Sequence, residues 1–132
     1  MMLCFDGKWL GAHGIDPLRV AGWFHDAGQP TAHYEVLRRT GRDDRRVIID
    51  ETAPIFHIGL NKEYSRMRFI VSDNDMANRY EQTMLMLKTL ECFGVKNYDH
   101  VLMHGDHCAY CGARDEDGNV KLGVMILNFL SH

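Results

Sequence analysis

No apolar run in this 132-residue chain approaches the roughly twenty residues that a bilayer span requires. The start, Met1-Met2-Leu3-Cys4-Phe5-Asp6, also lacks the basic head and long apolar stretch of a secretory signal, so a cytoplasmic protein without a membrane partner is expected. An excess of basic residues is missing as well. Fifteen lysines and arginines are interleaved with eighteen acids for a formal charge of −3, which leaves no basic surface to neutralise phosphates, and no nucleic-acid partner is expected. Cysteine is sparse: Cys4, Cys92, Cys108 and Cys111, without a secretory signal, do not make a disulfide framework in a chain long enough to bury a core. Reduced thiols are the expectation. Repeats and low-complexity segments are absent.

What is present is apolar content, 45% of residues, enough for one core rather than two. Residues 1–132 are therefore expected to form a single domain. Met1 to Leu10 reads as the tail of an apolar helix with no capping residue ahead of it. Beyond it, strand-like and helical stretches alternate. Arg19 to His25 is a short β-prone run entered through the turn signal Gly14-Ile15-Asp16-Pro17. Ala32 to Thr40 follows as a short helix closed by Gly41, then Arg42 to Arg46 as a solvated turn of mixed charge. Arg46 to Pro54 stays open between an extended piece and a helical turn. Met67 to Ser72 is a second strand, ending in the polar loop Asp73-Asn74-Asp75.

The spacing predicts a helix over Arg79 to Phe93, with Tyr80, Met84, Leu87 and Leu90 or Glu91 on one face and Gly94 at the left-handed cap. Tyr98 to Met103 is a third strand, broken by Gly105-Asp106-His107. Gly112 to Gly118 is a loop, and Val120 to Leu130 a closing helix that buries Val120, Val124, Leu127 and Leu130 or Phe129. Met84, Met86, Cys4 and Cys92 read as core residues. This order predicts an α/β fold in three layers, a short and mainly parallel sheet flanked by helices.

Open parallel sheets place chemistry at the carboxyl ends of their strands. Two of those ends are charged here: Asp73 and Asp75 after the second strand, and His104, Asp106 and His107 after the third. A carboxylate beside an imidazole can hold the ring in one tautomer and stabilise the imidazolium formed on proton transfer.

The order strand, Asp loop, helix, strand, His loop, final helix resembles the C-terminal part of α/β-hydrolase carboxylesterases of the esterase and lipase family. Phe69 to Met76, followed by Asn78-Arg79-Tyr80-Glu81-Gln82, is similar to their acid segment. Upstream, His13 to Pro17, the strand to Gly28-Gln29 and Ala53 to Ile58 look like the region after the nucleophile helix. The resemblance covers nearly the whole chain. It implies a partial α/β-hydrolase fold and a hydrolase of small-molecule carboxylic esters, short or aromatic, such as plant-derived acyl groups on sugars. It also implies Asp75 as the triad acid, Asp73 as the alternative, His107 as the catalytic histidine, and no cofactor. His104 is then a residue that packs or hydrogen-bonds locally, and Asp73 a turn stabiliser.

The family's G-x-S-x-G elbow is missing: Ser65, Ser72 and Ser131 are the serines, and none has the glycine neighbours. Aligned by pattern, Met1 falls inside the helix that follows the family's serine, so a truncated form is expected. Three or four strands from such a sheet leave an unpaired edge and an apolar face, which predicts a homo-oligomer. Trp23, Phe24, His25 and Gln29, at or beyond the end of the first strand, are candidates for lining a cleft.

Two other readings stay open. His104, His107, Cys108 and Cys111 lie within eight residues and suit zinc or copper, which would make the chain a metal-binding protein or metal-dependent enzyme. Alternatively, the chain is an inactive fragment that only self-associates. A redox role for Cys108-Ala109-Tyr110-Cys111 would need its first thiol at a helix start.

Overall fold

Residues 1–61 and 63–132 are described by a computed structural model. Three parallel strands form one sheet in the order β1 (Trp23–Asp26), β2 (Met67–Asn74) and β3 (Tyr98–Asp106). Ahead of it lie two single-turn helices, α1 (Met2–Phe5) and α2 (Lys8–Gly11). α3 (Tyr34–Arg39) lies between β1 and β2, α4 (Arg79–Cys92) between β2 and β3, and α5 (Lys121–Ser131) closes the chain. The molecule is thus a small α/β fold with a parallel sheet and flanking helices. No helix of the described residues is long and apolar enough to cross a membrane.

β2 is the centre of the sheet, paired on both sides, and Phe69, Ile70, Val71 and Ser72 are all buried, as a strand covered on both faces must be. Side chains alternate across it. Met67 and Phe69 face Phe5 of α1 and Met86, Leu87 and Leu90 of α4 in the main core. Arg68, with its register partner Phe24, faces the other way, where Phe129 of α5 packs edge-on to Phe24 at 5.7 Å. The guanidiniums of Arg66 and Arg68 lie over the same ring. Helices therefore cover both faces.

Several boundaries differ from the sequence reading. The first strand begins only at Trp23, because Asp16 accepts the Leu18 N–H and turns Pro17–Arg19 into one 3-10 turn. α3 starts two residues late, since His33 Nδ1 accepts the Glu35 N–H as its cap. Arg46 to Pro54 joins no strand; it turns at Asp50, whose carboxylate takes both the N–H and the hydroxyl of Thr52, into the 3-10 turn Pro54–His57. Met1 to Leu10 is two one-turn helices rather than the tail of one. α4 stops at Cys92, with Gly94 at φ +73° where the left-handed cap was expected.

The buried face of α4 is not the one its spacing predicts. Arg79, Gln82, Thr83, Met86, Leu87 and Leu90 are buried, whereas Tyr80 is exposed and Met84 only packs at the margin. Two polar members of that face are satisfied from other elements, as Thr31 donates its hydroxyl proton to Gln82 Oε1 at 2.8 Å and Arg79 donates to the Ala27 carbonyl, while Thr83 donates to the Arg79 carbonyl one turn back in the same helix at 2.9 Å. Cys4 is buried, but Cys92 is exposed on the outer side of α4. In α5 the buried described residue is Phe129; Val120, Leu127 and Leu130, expected inside, are exposed.

Candidate functional site

The acidic and histidine loops predicted after β2 and β3 begin later than expected, at Asp75 and His107, because both strands run on. β2 runs on through Asp73 and Asn74, and β3 through Gly105 to Asp106, with a register irregularity between Ser72 and Asn74. Gly105 reaches φ +115°, a conformation closed to residues with a side chain, and its N–H turns to Asp73 Oδ1 at 2.9 Å. Side chains complete the extension. Asp73 Oδ2 meets His104 Nδ1 at 2.6 Å, and Asn74 donates to Asp106 Oδ1. Asp73 is thus a cross-strand partner rather than a stabiliser of its own turn.

Asp75 stands just past the strand. Its Oδ2 accepts the Ser72 N–H at 3.2 Å, and its Oδ1 accepts the Met76 N–H at 2.8 Å and meets His107 Nδ1 at 2.6 Å. An ionised carboxylate has no proton to give, so Nδ1 carries the hydrogen and Nε2 presents its lone pair. The molecule holds two Asp–His pairs side by side, and burial distinguishes them. The Asp75 side chain is 0% exposed with His107 at 37%, against 42% and 88% for Asp73 and His104. The backbone N–H of Gly105, then His104, holds the Asp73 carboxyl below its ordinary range. Water screens that pair; Asp75 is shielded from it.

The nucleophile position is not filled by serine. Ser65 donates to the carbonyls of Pro17 and Leu18, Ser131 to that of Leu127, and Ser72 is fully buried with no partner for its Oγ among the described residues. None of the three is bonded to His107.

Of the residues expected to line a cleft, Gln29 borders one. A cleft of about 510 Å³ opens between Gln29, Tyr34, Arg46, Met76 and Arg79, next along the chain from Asp75. Burial lowers the pKa of Arg79, whose guanidinium is tied to the Ala27 carbonyl and to Gln29 Oε1. Trp23 instead lines a more apolar cavity of about 470 Å³ with Cys4, Leu60 and Tyr64, at the start of β1 and so at the opposite edge of the sheet. Phe24 packs on α5. His25 lies buried between the rings of Phe5 and Phe69, and burial pushes its pKa down to about 3.

The four-residue metal set of the sequence reading is not assembled. His104 and His107 turn Nδ1 to Asp73 and Asp75, while Cys108 and Cys111 come together with Asp26 at the end of β1. Tyr110 between them is buried and donates its hydroxyl proton to Asp26 Oδ1, and Cys111 Sγ points at Asp26 Oδ2 at 3.7 Å. Cys108 caps the single 3-10 turn Ala109–Gly112 in the left-handed region, φ 57°. Burial and then the charge of Asp26 raise both thiol pKa values, Cys111 to about 11, so the turn does not activate them as a redox pair would need. Asp26 and Tyr110 escaped sequence reading, although a charged residue at the end of a strand was itself a signal once β1 was extended by one residue. Compared with known protein families, curated proteins and solved structures, the chain matches none.

Proposed function

We propose that this chain is the acid and histidine part of a carboxylic-ester hydrolase of the α/β-hydrolase type, with His107 as general base and Asp75 as the residue that orients it. The observation that carries the reading is the 2.6 Å contact between a carboxylate fully removed from water and a part-exposed imidazole. The three-stranded order, with the acid after β2 and the histidine after β3, supports it.

As no serine is bonded to His107, water is the attacking group in this reading. Its oxygen adds to the ester carbonyl carbon while Nε2 of His107 takes its proton, and Asp75 stabilises the imidazolium. Collapse of the tetrahedral intermediate breaks the bond to the alcohol oxygen, and His107 returns the proton to that oxygen.

The test is hydrolysis of p-nitrophenyl acetate by chelator-treated protein. Turnover above buffer is expected, lost in His107→Ala and retained in His104→Ala. Equal rates in wild type and His107→Ala would sink the proposal and leave the self-associating fragment as the better description.

Self-association is proposed alongside. The unpaired edge of β3, Leu102 on that strand, and Leu127 and Leu130 on α5 are exposed, the features that draw chains together. Light scattering at micromolar concentration is expected to give at least a dimer mass, reduced to monomer in Leu127→Glu/Leu130→Glu. A monomeric wild type refutes it.

A further inference from the structure

Away from the Asp75–His107 pair, one group of side chains has the chemistry of a cation site that neither histidine serves. We propose that Asp26, Cys108 and Cys111 bind a zinc ion, through one carboxylate oxygen and two thiolates, with the fourth position open to water. This inference is independent of the hydrolase reading.

Among the described residues, these three form the one group whose candidate ligand atoms all lie within 4.8 Å of one another. Zinc bonds of about 2.3 Å to sulfur and 2.0 Å to oxygen place neighbouring sulfur and oxygen ligands of a tetrahedron about 3.5 Å apart. Cys111 Sγ and Asp26 Oδ2 stand at 3.7 Å. The ligands come from two places in the fold, the tip of β1 and the turn after β3, so an ion would clamp that turn to the sheet.

The carboxylate is also prepared for the role. Tyr110, whose side chain is buried, donates to Oδ1 of Asp26, which leaves Oδ2 as the oxygen facing the Cys111 sulfur. A hydrogen bond to the non-ligating oxygen is how metal sites orient a carboxylate. The intervening Ala109 and Tyr110 lie in the 3-10 turn, where the Cys111 N–H bonds the Cys108 carbonyl at 3.0 Å, and that turn brings both sulfurs to one side. Ser72 adds a further polar group. It is two residues on from Ile70, the register partner of Asp26, so it shares the face of the sheet that carries Asp26, and its buried Oγ has no partner among the described residues. Two thiolates with one carboxylate select zinc over magnesium or calcium, which prefer all-oxygen shells. On binding, each thiol gives up its proton to solvent, two per ion.

The experiment is titration of the reduced full chain with Co²⁺ as a spectroscopic stand-in, followed by displacement with Zn²⁺. One equivalent is expected to bind with the near-ultraviolet absorption of cobalt–thiolate bonds, and Zn²⁺ is expected to bleach it. The band should vanish in Cys111→Ser and in Asp26→Asn, persist in His104→Ala and His107→Ala, and require about 10- to 100-fold more cobalt in Tyr110→Phe. Absence of a thiolate band in the reduced wild type overturns the proposal without recourse to any variant. So does a band that survives Cys111→Ser, or one lost with the histidines.

Discussion

Asp75→Asn is expected to lower the His107-dependent hydrolysis of p-nitrophenyl acetate by about 10²- to 10⁴-fold. The size follows from the tautomer. The Asp75 carboxylate can only accept, so it holds the proton on Nδ1 of His107 and leaves Nε2 free as the base. An amide at the same place can donate from its nitrogen, which moves the ring proton to Nε2 and abolishes the lone pair that would take a proton from water. It also removes the negative charge that stabilises the imidazolium, and at a side chain with no exposure that charge is not replaced by solvent.

The substitution is nearly isosteric, and with the amide nitrogen turned to His107 the Asn oxygen takes the place of Oδ2 and still accepts from the Ser72 N–H, so the native state should persist. Asp73→Asn is the control, because its pair with His104 is open to water on both sides. Unchanged rate in Asp73→Asn with a large fall in Asp75→Asn supports the assignment. The reverse pattern would transfer the base to His104, and equal modest effects would show that neither pair is catalytic.

Acidification should unfold this protein chiefly through one residue, His25. It is buried against Phe5 and Phe69, its Nε2 has no partner among the described residues, and the nearby N-terminal ammonium adds repulsion to the cost of charging it. In the folded chain its pKa lies at about 3, against 6.5 for the group in water. Between those values the unfolded chain binds a proton that the native state refuses. Stability is therefore complete above the unfolded value and declines as pH falls toward the folded one, by about 1.4 kcal/mol per pH unit. Across the window this amounts to on the order of 3–5 kcal/mol, a large share of the ~5–15 kcal/mol that holds a typical domain together.

Urea midpoints of wild type and His25→Phe between neutral pH and pH 4 measure it. The wild type should lose stability steeply and the variant much less. Asp43 and Asp50, whose carboxyls are held down to about 2 mainly by hydrogen bonds from Arg45 and Arg42, push in the same direction in both proteins. The difference between the two curves therefore isolates His25. Parallel curves would mean that the ring is protonated in the native state.

Much of the architecture was legible in local pattern. The apolar run from Met67, the helix that ends before Gly94, and the placement of acids after β2 and histidines after β3 all follow from properties of neighbouring residues: side-chain period, glycine's access to positive φ, and turn chemistry. Asp75 and His107 were legible as a pair for the same reason, since successive parallel strands bring their carboxyl ends together.

Local pattern did not reach whatever a distant partner decides. β2 and β3 extend past their apolar runs because Asp73 bonds across to His104 and Gly105, and Asn74 to Asp106. A reading by hydropathy ends both strands at their first polar residue. The buried face of α4 includes Arg79, Gln82 and Thr83, and hydropathy places such residues outside until the carbonyl of Ala27 and the hydroxyl of Thr31 are seen to satisfy two of them. Cys108 and Cys111 were visible as a C-x-x-C, but Asp26, more than eighty residues away along the chain, joins them only through the sheet. The sequence by itself determined the kind and order of the elements, because those energies are local. Tertiary structure decided strand ends, helix faces and the company each polar side chain keeps, because a buried polar group is stable only beside its partner, and that partner comes from elsewhere in the fold.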